Sequence, residues 1–543
     1  MKQIDIIKSY QDKRCLIVDD MPAVRANLKD AMKSFGFGAT DTAATSKDAI
    51  KLCQTRSYDL VICDYNLGPG QDGQQVLEEL RYRKLLRNTS LFVMITAETS
   101  QDMVLGVLEY LPDDYLSKPI TPSVLQNRLS KIIIRHLDLL PIKEAIDERD
   151  LLKAIDCCQD KLDSGGRYTG HYQRIKAELL YRLERHEEAQ EIYIESLKQN
   201  KPVWAQLGLG KSYLAQQRYD EAEDTFKEVV ATDRRFVEAS DLLAEIYKIK
   251  GLYKRAQKAL EDAIAASPKS PLRQRRLATM AKQNGDTDIA LKARKSALQV
   301  GEHSCHYTPQ DYFDMSAELL EAKASSDQER QKRIKDAEMY LKRAEKKHVG
   351  DEGIKVQTLA ARSRLKQQCG KTEEAEALLE RAKEQAAKAS PPPLAQLELS
   401  QAMAALGDKI GADDLLLKTA LANSDDADIT SRADALADEP ISQNGRNIAS
   451  KLTKEGIESY DSKDYDRALE VFKQASGLFP KHVGLRLNIA QVALAKAASS
   501  GNSDELRQAY QENLDAVSGL SESHEKFPRY QHLVTLAEQQ KLQ

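Results

Sequence analysis

No apolar run in this 543-residue chain approaches the roughly 18 residues of a membrane span. The opening stretch, MKQIDIIKSYQDKR, has no apolar core long enough for a signal peptide. Seven cysteines in no paired spacing fit a reducing compartment better than a disulfide framework. A net charge of −4, spread over 80 basic and 84 acidic side chains, provides no global field toward nucleic acid or anionic lipid. There is no nucleophile elbow, no glycine-rich nucleotide loop beyond the N-terminal region, and no recognition-helix unit with a basic stripe. These absences predict a soluble cytoplasmic protein with no membrane span and no nucleic-acid partner.

What is present divides into two textures. The length exceeds one ordinary core, because single cores stop growing near roughly 250 to 300 residues. From Arg14 to about Leu129, short β-branched apolar runs alternate with amphipathic stretches, the pattern of a parallel sheet with crossover helices. Strands are expected at CLIVD, FGATDTA, LVICD, LFVMIT and DDYLS, with five helices, in one doubly wound α/β domain. Asp19 and Asp20 end the first strand, Asp64 the third and Thr96 the fourth, while Lys118 follows the fifth. Open α/β sheets bind ligands at that carboxyl edge.

An ionised Asp64 entering the loop DYNLGPGQDG is costly unless positive charge sits against it. Mg²⁺ supplies an answer, since two or three convergent carboxylates and a loop carbonyl hold it while it keeps several waters. Asp19, Asp20 and Asp64 can converge in this way, leaving Asp64 ionised as a nucleophile. Charge spreading over a phosphoryl group would then be met by Mg²⁺, Lys118 and Thr96. The loop glycines allow a sharp turn and leave room for an incoming phosphoryl donor.

The segments VDD, CDYN, TAE and YLSKP, in this order and at these separations, resemble the receiver domain of two-component response regulators over roughly residues 12 to 137. The resemblance implies that Asp64 is the phosphoacceptor, that Asp19 and Asp20 bind Mg²⁺, and that Asn66 contributes its backbone carbonyl. It also implies that Thr96 and Lys118 bind phosphoryl oxygens, that Tyr115 reorients with Thr96, and that Lys118–Pro119 is a cis peptide. Asn66 and Glu98 fall where receivers flank the path of hydrolytic water, which implies a short-lived aspartyl phosphate. The loop YNLGPGQDG departs from the family's more usual Met-Pro pair and is one residue longer.

After Leu129 the strand signals vanish. Leu209, Gly210, Tyr213, Tyr219, Ala222 and Phe226 recur 34 residues later as Leu243, Ala244, Tyr247, Tyr253, Ala256 and Leu260. Leu277, Ala278 and Ala290 continue the series. This period resembles tetratricopeptide repeats, in which small residues let antiparallel helices pack closely. Weaker copies are expected near Ala177 and Tyr193, near Ala337 and Leu341, and near Gly370 and Leu379, with a clear late copy at Gly456, Tyr465, Ala468 and Phe472. The expected organisation is a flavodoxin-like receiver at 1–137, a helical-repeat solenoid at 138–421, a hinge or irregular segment at 422–446, and further repeats at 447–543.

Several features have plainer readings. The cluster HSCH at His303 to His306 has metal-ligating residue types, but no second cluster lies within motif distance, so no metal is expected there. Cys157, Cys158 and Trp204 are expected to pack within repeats. The run RQRR from Arg273 is expected on a solvated face or at the rim of a groove for an acidic peptide. The stretch IIIRHLDLLP is expected to continue the last receiver helix into the first repeat.

No histidine lies in a kinase-like phosphoacceptor box, so the chain is expected to receive phosphoryl groups. The expected function is that of a response regulator phosphorylated on Asp64 by a sensor histidine kinase or phosphotransfer protein, with output through a client protein or peptide bound by the repeats. Enzymatic activity is expected only as the receiver's own Mg²⁺-dependent phosphotransfer and autodephosphorylation. Alternatives are an auxiliary inhibitor or phosphate sink that competes for a kinase, and a static scaffold insensitive to phosphorylation. An enzyme with a cryptic site in the array is the least expected.

Overall fold

The computed structural model describes residues 10–97, 112–233, 236–501, 503–522 and 524–542. The chain forms two compact units, Met1–Thr308 and Pro309–Gln543. The first unit opens with five parallel strands, β1 (Arg14–Val18), β2 (Ala39–Ala43), β3 (Leu60–Asp64), β4 (Leu91–Thr96) and β5 (Asp114–Ser117). Their order, β2-β1-β3-β4-β5, is the flavodoxin-like arrangement. The polar alternation in β2, ATDTA, suits its place at the sheet edge, while β3 and β4 are buried throughout.

Alternate strand residues feed two cores, as the two-residue period requires. Cys15, Ile17, Leu60, Ile62, Val93 and Ile95 meet Leu28 and Met32 of α1 (Pro22–Ser34) and Leu125, Leu129 and Ile133 of the helix after β5. On the opposite face, Leu16, Val61, Cys63 and Phe92 meet Ala49 and Ile50 of α2 (Ser46–Thr55) and Val76, Leu77 and Leu80 of α3 (Gly73–Tyr82). The helix expected between β4 and β5, and Glu98, fall at 98–111, outside the described residues.

The last receiver helix and the first repeat helix are one continuous element, α4 (Pro122–Asp147). Its first half belongs to the receiver core through Leu125, Leu129, Ile132 and Ile133. Its second half joins the first repeat core through Leu139, Ile142 and Ala145, which pack with Ala154, Ile155, Tyr172 and Ala177. Each half of the helix thus belongs to a different apolar core, and residue 137 lies inside the helix. Asp147 fastens its far end: one oxygen accepts from Asn88 N at 2.8 Å and the other from Thr89 N at 3.0 Å, in the turn before β4.

Nine further helices complete the unit among the described residues: α5 (Leu151–Asp163), α6 (Thr169–Arg182), α7 (His186–Gln199), α8 (Val203–Ala215), α9 (Tyr219–Thr232), α10 (Val237–Ile249), α11 (Tyr253–Ala266), α12 (Pro271–Asn284) and α13 (Thr287–Gly301). The 34-residue period has a direct physical basis in their pairing. A Cβ on Gly210 of α8 would stand 2.5 Å from the Phe226 ring of α9, so only glycine admits that ring. Arg273, expected on a solvated face, is instead 3 % exposed. It donates to both Asp241 oxygens, to Oδ1 at 3.2 Å and to Oδ2 at 2.7 Å, and to the Ser267 carbonyl, so its charge is matched by a partly buried acid and serves packing between repeats.

The second unit is helical throughout its described residues, running from α14 (Gln310–Glu321) to α25 (Phe527–Leu542). The segment 422–446, expected as a hinge or irregular, contains α20 (Ala427–Leu436), whose Ile429 and Ala433 pack with Leu397, Leu416 and Ala420. Its polar turn is held by Asp434, which accepts from Ile441 N at 2.7 Å and Ser442 N at 2.8 Å. The Asp/Ser-rich composition therefore supplies caps and turn bonds to ordered backbone. The late repeat joins α21 (Gln443–Asp461) to α22 (Tyr465–Leu478), and Gly456 stands to Phe472 as Gly210 stands to Phe226, with a Cβ-to-ring distance of 2.6 Å.

Candidate functional site: an acidic edge with one lysine

Because the strands are parallel, every strand end that carries a polar residue faces the same edge. Asp19, Asp20 and Asp64 come together there, with carboxylate oxygens within 4.8 Å of one another. Asp19 and Asp64 are buried and Asp20 is exposed, so the cluster opens to solvent on one side. Lys118 supplies the missing positive charge. Its ammonium donates to Asp64 Oδ2 at 2.8 Å and to Asp19 Oδ2 at 3.1 Å. The Asp19 carboxylate is further fixed by the Met21 N–H at 2.8 Å.

Burial pushes the Asp64 carboxyl above its ordinary range, opposed by its bond to Lys118 and reinforced by the Asp19 charge. Burial alone would lower Lys118, but its bonds to Asp64 and Asp19 prevail and raise it. Three convergent carboxylates with an open side match the donor set of a hard divalent cation.

The remaining expected residues take their places around this edge. Thr96 is buried at the end of β4, and its carbonyl accepts from Lys118 N at 2.6 Å. Tyr115 is partly buried on β5 against the α2–α3 core. The Lys118–Pro119 bond is cis. Asn66 is exposed in the loop after Asp64, its side-chain oxygen accepting from Gly68 N at 3.2 Å. The loop returns close beneath Asp64: Gly73 N donates to the Tyr65 carbonyl at 2.7 Å, and a Cβ on Gly73 would stand 2.2 Å from the Asp64 carbonyl oxygen.

Residues 15–130 match the family model described as the response regulator receiver domain. Residues 176–236 and 237–270 match tetratricopeptide repeat models. The chain carries a receiver domain followed by tetratricopeptide repeats. Its receiver is similar to chemotaxis protein CheY-3 of Vibrio cholerae, 29% identical over 125 residues that make up 23% of this chain and 95% of that protein. The chemotaxis protein CheY of Pseudomonas aeruginosa is likewise 29% identical over 122 residues, 22% of this chain and 97% of that protein. Among solved structures, the CheY-like receiver domain from Methylobacillus flagellatus is 29% identical, covers 22% of this chain and 98% of its own, and gives a TM-score of 0.20.

Sequence reasoning missed a second set of residues, contributed by the repeats. All of α3 from Gly73 to Leu80 is buried, including Gln74, Gln75, Glu78 and Glu79, which an isolated receiver would offer to solvent. Lys269, in the turn between α11 and α12, donates to Asp72 Oδ2 at 2.6 Å and to the Tyr65 hydroxyl at 2.7 Å. Past α13, Ser304 Oγ lies 3.4 Å from Glu78 Oε2, and His306 Nε2 lies 3.4 Å from Glu78 Oε1. Polar helix positions carry no sequence sign of being covered by a partner 200 residues downstream, so this contact had no readable signal.

Proposed function

We propose that this protein is a response regulator phosphorylated on Asp64 by a histidine kinase or phosphotransfer protein, with the phosphorylation state read out through protein binding by its repeats. The observation that carries the reading is the Lys118 ammonium held between Asp64 and Asp19 inside the three-acid cluster. An Asp64 oxygen attacks the phosphorus of a phosphohistidine, forming a P–O bond as the P–N bond breaks. The imidazole nitrogen leaves with the electron pair and takes a proton from solvent. Lys118 follows the charge from the carboxylate to a phosphoryl oxygen, and the Thr96 hydroxyl donates to another. When bound, Mg²⁺ supplies further positive charge at the transferring oxygens. Asp19, Asp20 and Asp64, with the Asn66 carbonyl, are the residues proposed to hold it.

In domain terms the reading assigns phosphate acceptance to residues 1–137 and partner binding to the helices at 138–421 and 447–543. The second unit offers a suitable surface: a groove of about 1110 Å³ between α15 (Asp327–Lys347) and the end of α16 (Glu352–Gln368). Arg330, Lys335, Arg343 and Lys346 line it around Ile334 and Met339, which suits an acidic, partly apolar peptide.

Incubation of the full chain with phosphoramidate or acetyl phosphate and Mg²⁺ tests the central step by intact mass. One phosphoryl group is expected on wild type and none on Asp64→Ala. Asp20→Ala should weaken metal-dependent labelling, and Lys118→Ala should slow it on the order of a hundredfold. Labelling that persists in Asp64→Ala sinks the assignment.

A further inference from the structure

Where the turn after α13 meets α3, three side chains of metal-ligating type converge. Glu78 comes from the receiver helix, and Cys305 and His306 from the repeats. Their ligand atoms, a carboxylate oxygen, a thiol sulfur and an imidazole nitrogen, lie within 4.8 Å of one another. Around a tetrahedral zinc, with bonds of about 2.0 to 2.3 Å, neighbouring donors stand roughly 3.3 to 3.8 Å apart. Glu78 Oε1 and His306 Nε2, at 3.4 Å, already have that spacing. The Cys305 thiol, within 4.8 Å of both and on a partly exposed turn, is the donor that has to move closer.

The surroundings fix the other two ligands. Glu78 is buried, and its second oxygen faces Ser304 Oγ at 3.4 Å. The His306 ring stands edge-on to Tyr82, with centroids 5.2 Å apart. The backbone of the turn is held by Arg275, which donates to the His306 carbonyl at 2.7 Å, and by Ser304 Oγ, which accepts from His306 N at 3.1 Å. Supporting bonds of this kind orient ligands in protein metal sites.

We propose that Glu78, Cys305 and His306 form a binding site for a borderline-soft divalent transition metal, zinc by preference, that staples the repeats to the receiver helix α3. A sulfur, nitrogen and oxygen donor set favours zinc over magnesium, so this site is chemically separate from the acidic cluster at Asp64. Thiolate and carboxylate together cancel the two charges of the ion, which makes burial of the complex affordable. On binding, the thiol proton passes to solvent as the S–metal bond forms, and a water completes the tetrahedron. No sequence motif announces the site, because Glu78 is brought to the HSCH turn only by the fold.

Titrating the reduced full chain with Co²⁺, in excess Mg²⁺ to occupy the acidic cluster, tests the proposal. One equivalent should produce a thiolate-to-cobalt charge-transfer band, and Zn²⁺ should erase it. Cys305→Ser should abolish the band, while Glu78→Gln and His306→Gln should each weaken Co²⁺ binding by roughly tenfold or more. Retained phosphoryl labelling of Asp64 in each variant shows that the receiver is folded. Absence of the band in wild type, or a band left undiminished by both Glu78→Gln and His306→Gln, overturns the proposal and leaves a hydrogen-bonded contact only.

Discussion

Lys269 reaches across from the repeats to Asp72, the N-cap of α3, at 2.6 Å. The two Asp72 oxygens divide their work, since Oδ1 accepts from Gln75 N at 2.9 Å to cap the helix while Oδ2 takes the lysine. The same ammonium bonds the Tyr65 hydroxyl and lies 4.9 Å from the centre of its ring. Tyr65 follows Asp64, the proposed acceptor, directly. A repeat residue therefore touches both ends of the loop that any phosphoryl group on Asp64 must share.

Replacing Lys269 with methionine keeps its stem but removes the charge-assisted bonds. The lysine is partly exposed, so the expected loss is about 1 kcal/mol or less. Hydrogen exchange should rise in α3, in the 267–270 turn and in the first turns of α12, while the late repeat around Phe472 stays unchanged. In wild type, beryllofluoride, which mimics the aspartyl phosphate, should alter exchange in these same segments. If beryllofluoride changes exchange only at the acidic edge, and partner affinity is also constant, the static scaffold is the better account.

The lifetime of the phosphorylated state is a separate property. Asn66 is exposed two residues after Asp64, the proposed acceptor, where a polar side chain can orient attacking water. Replacing Asn66 and Glu98 together by bulky apolar residues should lengthen the aspartyl phosphate lifetime, followed by loss of the added mass with time. A lifetime equal to or shorter than that of wild type contradicts the role given to these side chains.

The receiver was legible because its signals are local. Apolar runs such as LVICD and LFVMIT terminate in chemistry-bearing residues, and parallel pairing carries Asp19, Asp64 and Thr96 to one edge. The repeats were legible by period, with Gly210 and Phe226 reporting a close helix contact that Gly456 and Phe472 repeat. What escaped is tertiary: Lys269, Ser304 and His306 find α3 through the path of the array, which no local pattern encodes. Arg273 escaped for the opposite reason, since a basic run reads as solvated until Asp241 is seen against it.

His136 gives the junction helix a pH dependence with a defined sign. It is 6 % exposed, and the Lys143 ammonium, which can only donate, lies 3.3 Å from its Nδ1. Burial, then the Lys143 and Lys13 charges, lower its pKa from 6.5 to about 4. The unfolded state therefore binds the extra proton first. The stability contribution is present above pH 6.5 and is lost as pH falls from 6.5 toward 4, on the order of 3 kcal/mol in all. Denaturant unfolding of the first unit's transition should show that this part of the acid sensitivity is reduced in His136→Gln. Equal pH slopes in the two proteins over this window contradict the assignment.

Gly456→Ala sets two magnitudes against each other. Alanine improves intrinsic helix propensity by about 1 kcal/mol in α21. Its methyl group, however, would stand 2.6 Å from the Phe472 ring, and that ring is almost wholly buried among Leu452, Ala468 and Ala475. A buried ring cannot swing to solvent, so helices α21 and α22 must separate, a form of overpacking that costs roughly 1 to 3 kcal/mol. Packing should win by a narrow margin and the variant should be less stable. Phe472→Leu removes the ring that the glycine accommodates, so in that background Gly456→Ala should become neutral or stabilising. A double-mutant cycle read by thermal unfolding measures this coupling. Additive effects of the two substitutions would show that the glycine is conserving something other than the ring's space.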